Sequence, residues 1–395
     1  MESNINKNRF KTIIILMVLL VLIGIILYVG QKVSSSKSSL IENNSTTSTA
    51  SGNGNSLGQS LIDVSNLFST RDKEQTADLK GAVTYTLEDN KNIEITKAGT
   101  YVIKGSASNS TIQVEVGDED KVQIVLDGVT IENENLPCIY LINADKLFIT
   151  TAENSENKLT VSSEFTTYNG KNADAVIYAK DDVVINGAGK LIINSSDNGI
   201  SCNNDIKITG GVLDITSTAD AIEAKQSIAI ADGNITINSR KDGLHAEDND
   251  DDTTGFIYIG GGNININADA NAIHATTIAQ IDNGEITIKA WEGIEATCVQ
   301  INDGVLNIDS NDDCINAGAK ANEDLYYPTI EINGGTLTLK VAEGDTDAID
   351  SNGNLYVNGG EINITAQNAF DYDGEGIQTG GKIFANGDVL YLTHD

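Results

Sequence analysis

The sequence predicts an all-β chain: a right-handed parallel β-helix, a solenoid of coils of about 22 residues, behind an N-terminal transmembrane helix. Three observations carry this. A phrase recurs with a period near 22, apolar and polar residues alternate inside each repeat, and one uncharged apolar run lies close to the N-terminus. The 395 residues hold 25 Lys and Arg against 57 Asp and Glu, a net charge of −32, with 37 Gly but only 2 Pro. That balance argues against nucleic-acid binding through phosphate neutralisation, and the composition excludes collagen-like and proline-linker architectures. Cys138, Cys202, Cys298 and Cys314 stand far apart with no CxxC pair, so they are expected as small apolar core residues, not zinc ligands or disulfides.

In chain order, residues 1–12 form a short tail and residues 13–30 an 18-residue run without a charge. As a helix that run reaches roughly 27 Å, close to a hydrocarbon core of about 30 Å. Lys7, Arg9 and Lys11 precede it and only Lys32 and Lys37 follow closely, which puts the tail in the cytoplasm and the rest outside. A cleaved signal peptide is the alternative, although no A-x-A site follows. Residues 31–60 are mostly Ser, Thr, Asn and Gly, a flexible stalk that cannot bury enough apolar area to order itself. Residues 1–37 hold five basic side chains and one acidic, so 20 basic face 56 acidic beyond them, a charge of −36 on the exported part. There millimolar calcium can screen or coordinate it.

Residues 61–395 are expected to form one elongated domain. From residue 175 a phrase of the form acid-small-Ile-x-small precedes two short alternating strands separated by a Gly turn. Its central apolar residue falls at Ile177, Ile200, Ile222, Leu244, Ile273, Ile294, Ile315 and Ile349, and the two long steps contain inserts at 247–254 and 318–328. Asp232-Gly233, Gly210-Gly211, Asp303-Gly304, Gly334-Gly335 and Gly359-Gly360 break each unit at one place, where a sharp turn needs φ > 0. Three strands per 22 residues fit one coil of a parallel β-helix, and the Leu and Asn consensus of a leucine-rich repeat is missing. Strands at 93–96, 101–104, 112–116, 122–126 and 147–150 read as less regular coils of the same stack, and residues 371–395 close the last coil.

Stacking the phrases aligns Asp220, Asp242, Asn271, Glu292, Asp313 and Asp347, and three residues later Glu223, His245, His274, Glu295, Asn316 and Asp350. The second ladder faces solvent, because the Ile and Ala on either side of it point inward. Carboxylates about 5 Å apart repel unless a cation, a proton or a partner separates them. Calcium, with six to eight oxygen ligands, fits such loops; His-poor, oxygen-rich surroundings argue against zinc or copper. The main candidate joins Glu292, Glu295, Asp312, Asp313 and Asn316. A second joins Asp345, Asp347 and Asp350, and a third Asp220, Glu223 and Asp242. The competing reading is that these acids only cap turns through backbone hydrogen bonds. The acidic insert at 247–252 lacks the ordered positions of an EF-hand loop and reads as solvated. His245, His274, Trp291, Tyr326 and Tyr327 are the candidate carbohydrate contacts, by hydrogen bonding or stacking, with coil packing the alternative for Trp291.

The phrases V-Q-I-V-L-D-G-V-T-I at 122–131, D-G-L-H-A from Asp242, D-A-I-D-S-N-G from Asp347 and A-F-D-Y-D-G from Ala369 resemble the bacterial carbohydrate-binding domain-containing family from about Phe68 to the C-terminus. These are exported calcium-binding β-helix proteins related in fold to pectate lyases. The resemblance implies bound calcium and affinity for plant-type polysaccharides such as pectic acid and cellulose. In related family-nine pectate lyases a D-D-x-x-D phrase with an acid from the preceding coil holds calcium. Residues 312–316 match with Asn316 in the last place, and Glu292 or Glu295 supplies the preceding acid. A lyase also needs a base, and neither Lys320 nor Lys340 lies in a phrase that aligns with one.

The expected protein is therefore a membrane-anchored, extracellular, calcium-binding solenoid that binds polysaccharide without cleaving it. A domain this acidic reaches an acidic glycan through shared calcium. A calcium-dependent lyase and a surface adhesin are the rivals, and the lyase requires a Lys or Arg facing the Glu295 and Asn316 rungs.

Overall fold

The computed structural model describes residues 59–392, apart from 168–169, 171, 252, 323–324 and 345. The apolar run at 13–30, its tail, most of the stalk and Asp345 lie outside the described residues. Among the described residues no helix is long and apolar enough to cross a membrane. Their helical pieces are two 3-10 turns, Val64–Asn66 and Arg71–Lys73.

From Val83 onward the chain is strand and turn. One coil runs through Ile222–Ala224, Ser227–Ile230 and Asn234–Ser239. Each strand pairs in parallel with its equivalent in the next coil: Ile222 with Leu244, Ile228 with Ile257, Ile235 with Ile264. Repeating this yields three parallel ladders, here the first, second and third sheets in the order a coil visits them. The first is a sheet of 12 strands from Ile93–Ile95 to Asn368–Tyr372. The other two are joined at one end, where Lys121–Asn133 is long enough to pair with both Lys146–Thr151 and Glu156–Val161. The fold is thus an all-β, β-helix-like solenoid.

The alternation read from the sequence decides what is inside. Ile222, Ile228, Ile235 and Ile237 are buried, and the polar residues between them point out. The column Ile200, Ile222, Leu244, Ile273, Ile294, Ile315 and Ile349 has no member more than 1% exposed. Each side chain so buried contributes about 1.5–3 kcal/mol. The small residue before this column is dictated by the next coil's backbone: a Cβ on Gly293 would sit 2.2 Å from the Cys314 carbonyl oxygen. All four cysteines are buried and unpaired. At the C-terminal end Lys382–Ala385 turns back and pairs antiparallel with Asp388–Leu390, which covers the outermost edge of the sheet.

Both inserts open at one corner, between the first and second sheets: one separates Leu244–Ala246 from Phe256–Ile259, the other Ile315–Ala317 from Thr329–Ile332. A feature the repeat does not foretell precedes the coils. Residues 59–76 form no strand but run as a strap across the outer face of the second sheet. The Leu61 and Ile62 amides donate to the side-chain oxygens of Gln300 and Gln280 at 3.1 and 2.8 Å. Phe68 lies 6.1 Å from the Tyr258 ring, and the Arg71 guanidinium sits 4.3 Å over Phe148. Gln75 then accepts from Gly187 N and donates to Thr209 O, each at 2.9 Å.

Candidate functional site: an outward ladder on the first sheet

The register of the first sheet places Tyr178, Ser201, Glu223, His245, His274, Glu295, Asn316, Asp350 and Asp371 in one column. Each lies between an inward Ile, Leu or Phe and an inward small residue or Tyr372, so strand periodicity turns its side chain out. The column predicted from Glu223 to Asp350 is therefore continuous, and it gains Tyr178 and Ser201 at one end and Asp371 at the other.

The corner acids do cap the backbone, with one oxygen each. Asp220 Oδ1 accepts from the Asp242 amide at 2.8 Å, Asp242 Oδ1 from the Asn271 amide at 2.9 Å, and Asp313 Oδ1 from the Asp347 amide at 3.0 Å. The second carboxylate oxygen is left over. For Asp220 and Asp242 it faces imidazoles: Asp242 Oδ2 stands 3.2 Å from His245 Nδ1 and 3.3 Å from His274 Nδ1, and Asp220 Oδ2 is 3.6 Å from His245 Nδ1. The two rings stack at 4.8 Å with 12° between their planes. Burial pulls the His245 pKa down, but Asp220 and Asp242 outweigh it and raise it to about 10. Burial raises that of Asp242, yet His245 and His274 hold its carboxyl well below the usual range. Glu223 is oriented elsewhere, its Oε2 accepting from Asn198 Nδ2 at 2.9 Å and Ser201 Oγ at 3.1 Å.

Further along, Glu295 accepts from Asn271 Nδ2 through Oε2 and from the Lys320 ammonium through Oε1. Beyond Glu295 no ion pair reaches the ladder among the described residues. Glu292, Asp312 and Asp313 of the first predicted calcium group and Asp347 and Asp350 of the second share one field, in which Glu292, Asp313 and Asp350 have no ion pair among the described residues. Burial, then Glu295, Asp313 and Asp312, push the Glu292 carboxyl up to about 8 against a hydrogen bond from Asn316. Burial, then Asp312, Asp350 and Asp347, bring Asp313 to about 6 against the Asp347 amide. Burial with Asp371, Asp347, Asp373 and Asp312 takes Asp350 to about 6. Glu292 Oε1 and Asn316 Oδ1 are buried atoms that find no hydrogen-bond partner among the described residues.

Trp291, at 54% exposure, is not a core residue and its ring is open to solvent beside this field. Tyr327 is similarly exposed, whereas Tyr326 packs against the cluster of Ile62, Tyr258, Ile278 and Cys298 on the second sheet. In the acidic insert, Lys225 pairs with Asp248 at 3.4 Å and with Asp250 at 2.5 Å, and Asp248 also accepts from Thr254, so the loop is tied internally. Of the two nearby lysines, Lys340 pairs with Asp309 on the third sheet, and only Lys320 reaches the ladder. Sequence spacing could not separate them, because Lys320 lies in an insert whose path the repeat does not specify.

This solenoid, with its phrase repeated in register and its acid-rich outward column, can be compared with known proteins. A family model described as carbohydrate-binding domain-containing protein matches residues 89–367, and again 292–393. The chain belongs to this family. A carbohydrate-binding domain-containing protein from Acetivibrio thermocellus is 39% identical over 124 residues, which is 31% of this chain and 43% of the relative, so less than half of that relative is spanned. Among solved structures, the polysaccharide lyase-like protein from C. thermocellum, a gadolinium derivative, matches with a TM-score of 0.51 at 30% identity, covering 57% of this chain and 96% of that one.

Proposed function

We propose that the right-handed solenoid is a calcium-dependent, non-catalytic polysaccharide-binding module, held outside the cell by the segment 13–30 and directed at acidic or plant-type glycans such as pectic acid or cellulose. The observation that carries this reading is the uncompensated carboxylate field around Glu292, Asp313 and Asp350, whose ionised forms are disfavoured by burial and by one another. The donors are all oxygen, from carboxylates and one amide, which suits a hard cation of flexible coordination. Glu292, Asp313, Asn316 and Asp350, supported by Asp312, Asp347 and Glu295, would hold calcium. Bound there, calcium supplies positive charge that a uronate carboxylate can share. Trp291, exposed beside this field, offers a ring face to a sugar.

Retention of the full chain on polygalacturonate and on cellulose, with calcium and with EDTA, tests the proposal. Calcium-dependent retention is expected. Equal retention in EDTA, or none in calcium, would sink it.

One observation favours a second reading, a calcium-dependent polysaccharide lyase: Lys320 sits against Glu295, on the rungs where the lyase requires a basic residue. To act, its amine must leave Glu295 and take the proton next to the uronate carboxylate. Rising absorbance from unsaturated chain ends on polygalacturonate with calcium, abolished by Lys320→Ala, would establish the lyase and displace the binding-only reading.

A further inference from the structure

We propose that Asp242, His245 and His274, with Asp220 in fourth place, form a binding site for a divalent transition metal of the zinc class, separate from the calcium field. Oxygen-rich surroundings argue against zinc over the chain as a whole, but the register stacks two of its three histidines on adjacent rungs. One ring nitrogen of each histidine and one carboxylate oxygen of Asp242 lie within 4.8 Å of one another. Ligands about 2.0–2.1 Å from a tetrahedral zinc are separated by roughly 3.3 Å. Asp242 Oδ2 stands 3.2 and 3.3 Å from the two Nδ1 atoms, and Asp220 Oδ2 3.6 Å from that of His245. Rotation of either ring about its χ angles contracts the remaining His–His edge.

Two further features separate this site from an ordinary ion pair. His245 Nδ1 is a buried atom that makes no properly aligned hydrogen bond even with these oxygens close by. A metal on its lone pair, with the oxygens off that line, satisfies such a nitrogen. The outer nitrogens also have carboxylate partners: His245 Nε2 is 3.2 Å from Glu247 Oε2, and His274 Nε2 is 3.7 Å from Glu295 Oε2. Ligating histidines present one nitrogen to the metal and the other to a carboxylate, which fixes the tautomer and strengthens the ligand. The Oδ1 atoms of Asp220 and Asp242 are committed to backbone amides, so each aspartate offers a single oxygen, as a four-coordinate ion needs.

The test titrates Co2+ into chelator-stripped full-length chain, follows its ligand-field absorption, and displaces it with Zn2+. Wild type should bind about one Co2+ with an intense tetrahedral spectrum. His274→Ala, His274→Gln and His245→Ala should each weaken binding at least tenfold, while Asp309→Asn, on the third sheet, leaves it unchanged. Circular dichroism without metal reports whether each variant keeps its sheets, and the Gln variant preserves polarity and size. A wild-type spectrum that is weak and octahedral, or affinity unaltered in a folded His245→Ala/His274→Ala double variant, would overturn the proposal.

Discussion

Two outward columns of one solenoid, built by the same coil geometry, carry opposite chemistry. On the second sheet the column runs Phe148, Val184, Lys207, Ala229, Tyr258, Gln280, Gln300, and all seven are buried under the strap of residues 59–76. On the first sheet it runs Glu223, His245, His274, Glu295, Asn316, Asp350, Asp371, and only Glu295 is buried to that degree. Apolar and amide groups on the outside of a coil need a cover, and the strap supplies both: apolar contact from Ile62 and Phe68, backbone amides for the two glutamines. Carboxylates stacked one coil apart cannot be covered by apolar chain without desolvating charge. They stay open. One column is a structural seam and the other an open, charged face, the one proposed above to bind calcium and glycan.

Four experiments break or sharpen that contrast. Deleting residues 59–76 should have the largest effect, because it uncovers the second-sheet column and removes the strap partners of Gln280 and Gln300. Loss of buried Ile62 alone costs about 1.5–3 kcal/mol, and half-buried Leu67 and Phe68 add to it. The urea midpoint should fall sharply, and an unchanged midpoint would show that the strap covers nothing of consequence. Next comes Asp313→Ala, expected to weaken calcium binding at least tenfold, about 1.4 kcal/mol. In EDTA the lost amide cap for Asp347 is offset by removal of a charge that burial and the neighbouring acids disfavour, so the change there should be small. Calorimetric melts should show a larger loss in calcium, by linkage; equal losses would reduce Asp313 to a turn residue.

Glu292→Gln should do the reverse without metal. It removes a charge that burial and Glu295 disfavour, so the calcium-free protein gains up to about 1 kcal/mol after discounting for solvent screening, while calcium affinity drops. A calcium-free variant less stable than wild type would contradict the repulsive field.

The smallest effect is with pH. Glu292, Asp313 and Asp350 hold their protons more tightly folded than unfolded, with folded values of about 8, 6 and 6. The native state therefore binds more protons between the ordinary carboxylate range and pH 8, and stability falls as pH rises through that window. His245, raised to about 10, adds to the fall only above the ordinary histidine range, toward its folded value. Without calcium the melting temperature should be higher at pH 5 than at pH 8, and calcium should narrow the gap. A metal-free melting temperature that climbs over this range would refute the account.

Much of this was legible before any coordinates. The alternation around Ile222 and Ile228, the glycine turns and the 22-residue step fix which residues are buried and which share a rung, because strand periodicity and coil length leave one consistent register. The outward run from Glu223 to Asp350 follows directly. The strap did not, because residues 59–76 have no period, and their partners lie up to 241 positions away at Gln300. Lys320 was equally hidden, since an insert's path depends on what it packs against. The split of the third acidic group, with Asp220 and Asp242 turned to the imidazoles and Glu223 to Asn198 and Ser201, rests on side-chain orientation within a rung. By itself the sequence determined the repeat, the buried Ile column and the order of the ladder, all consequences of local periodicity. Only the tertiary structure decided which face is covered and which oxygens converge, because those depend on contacts between segments that no local pattern encodes.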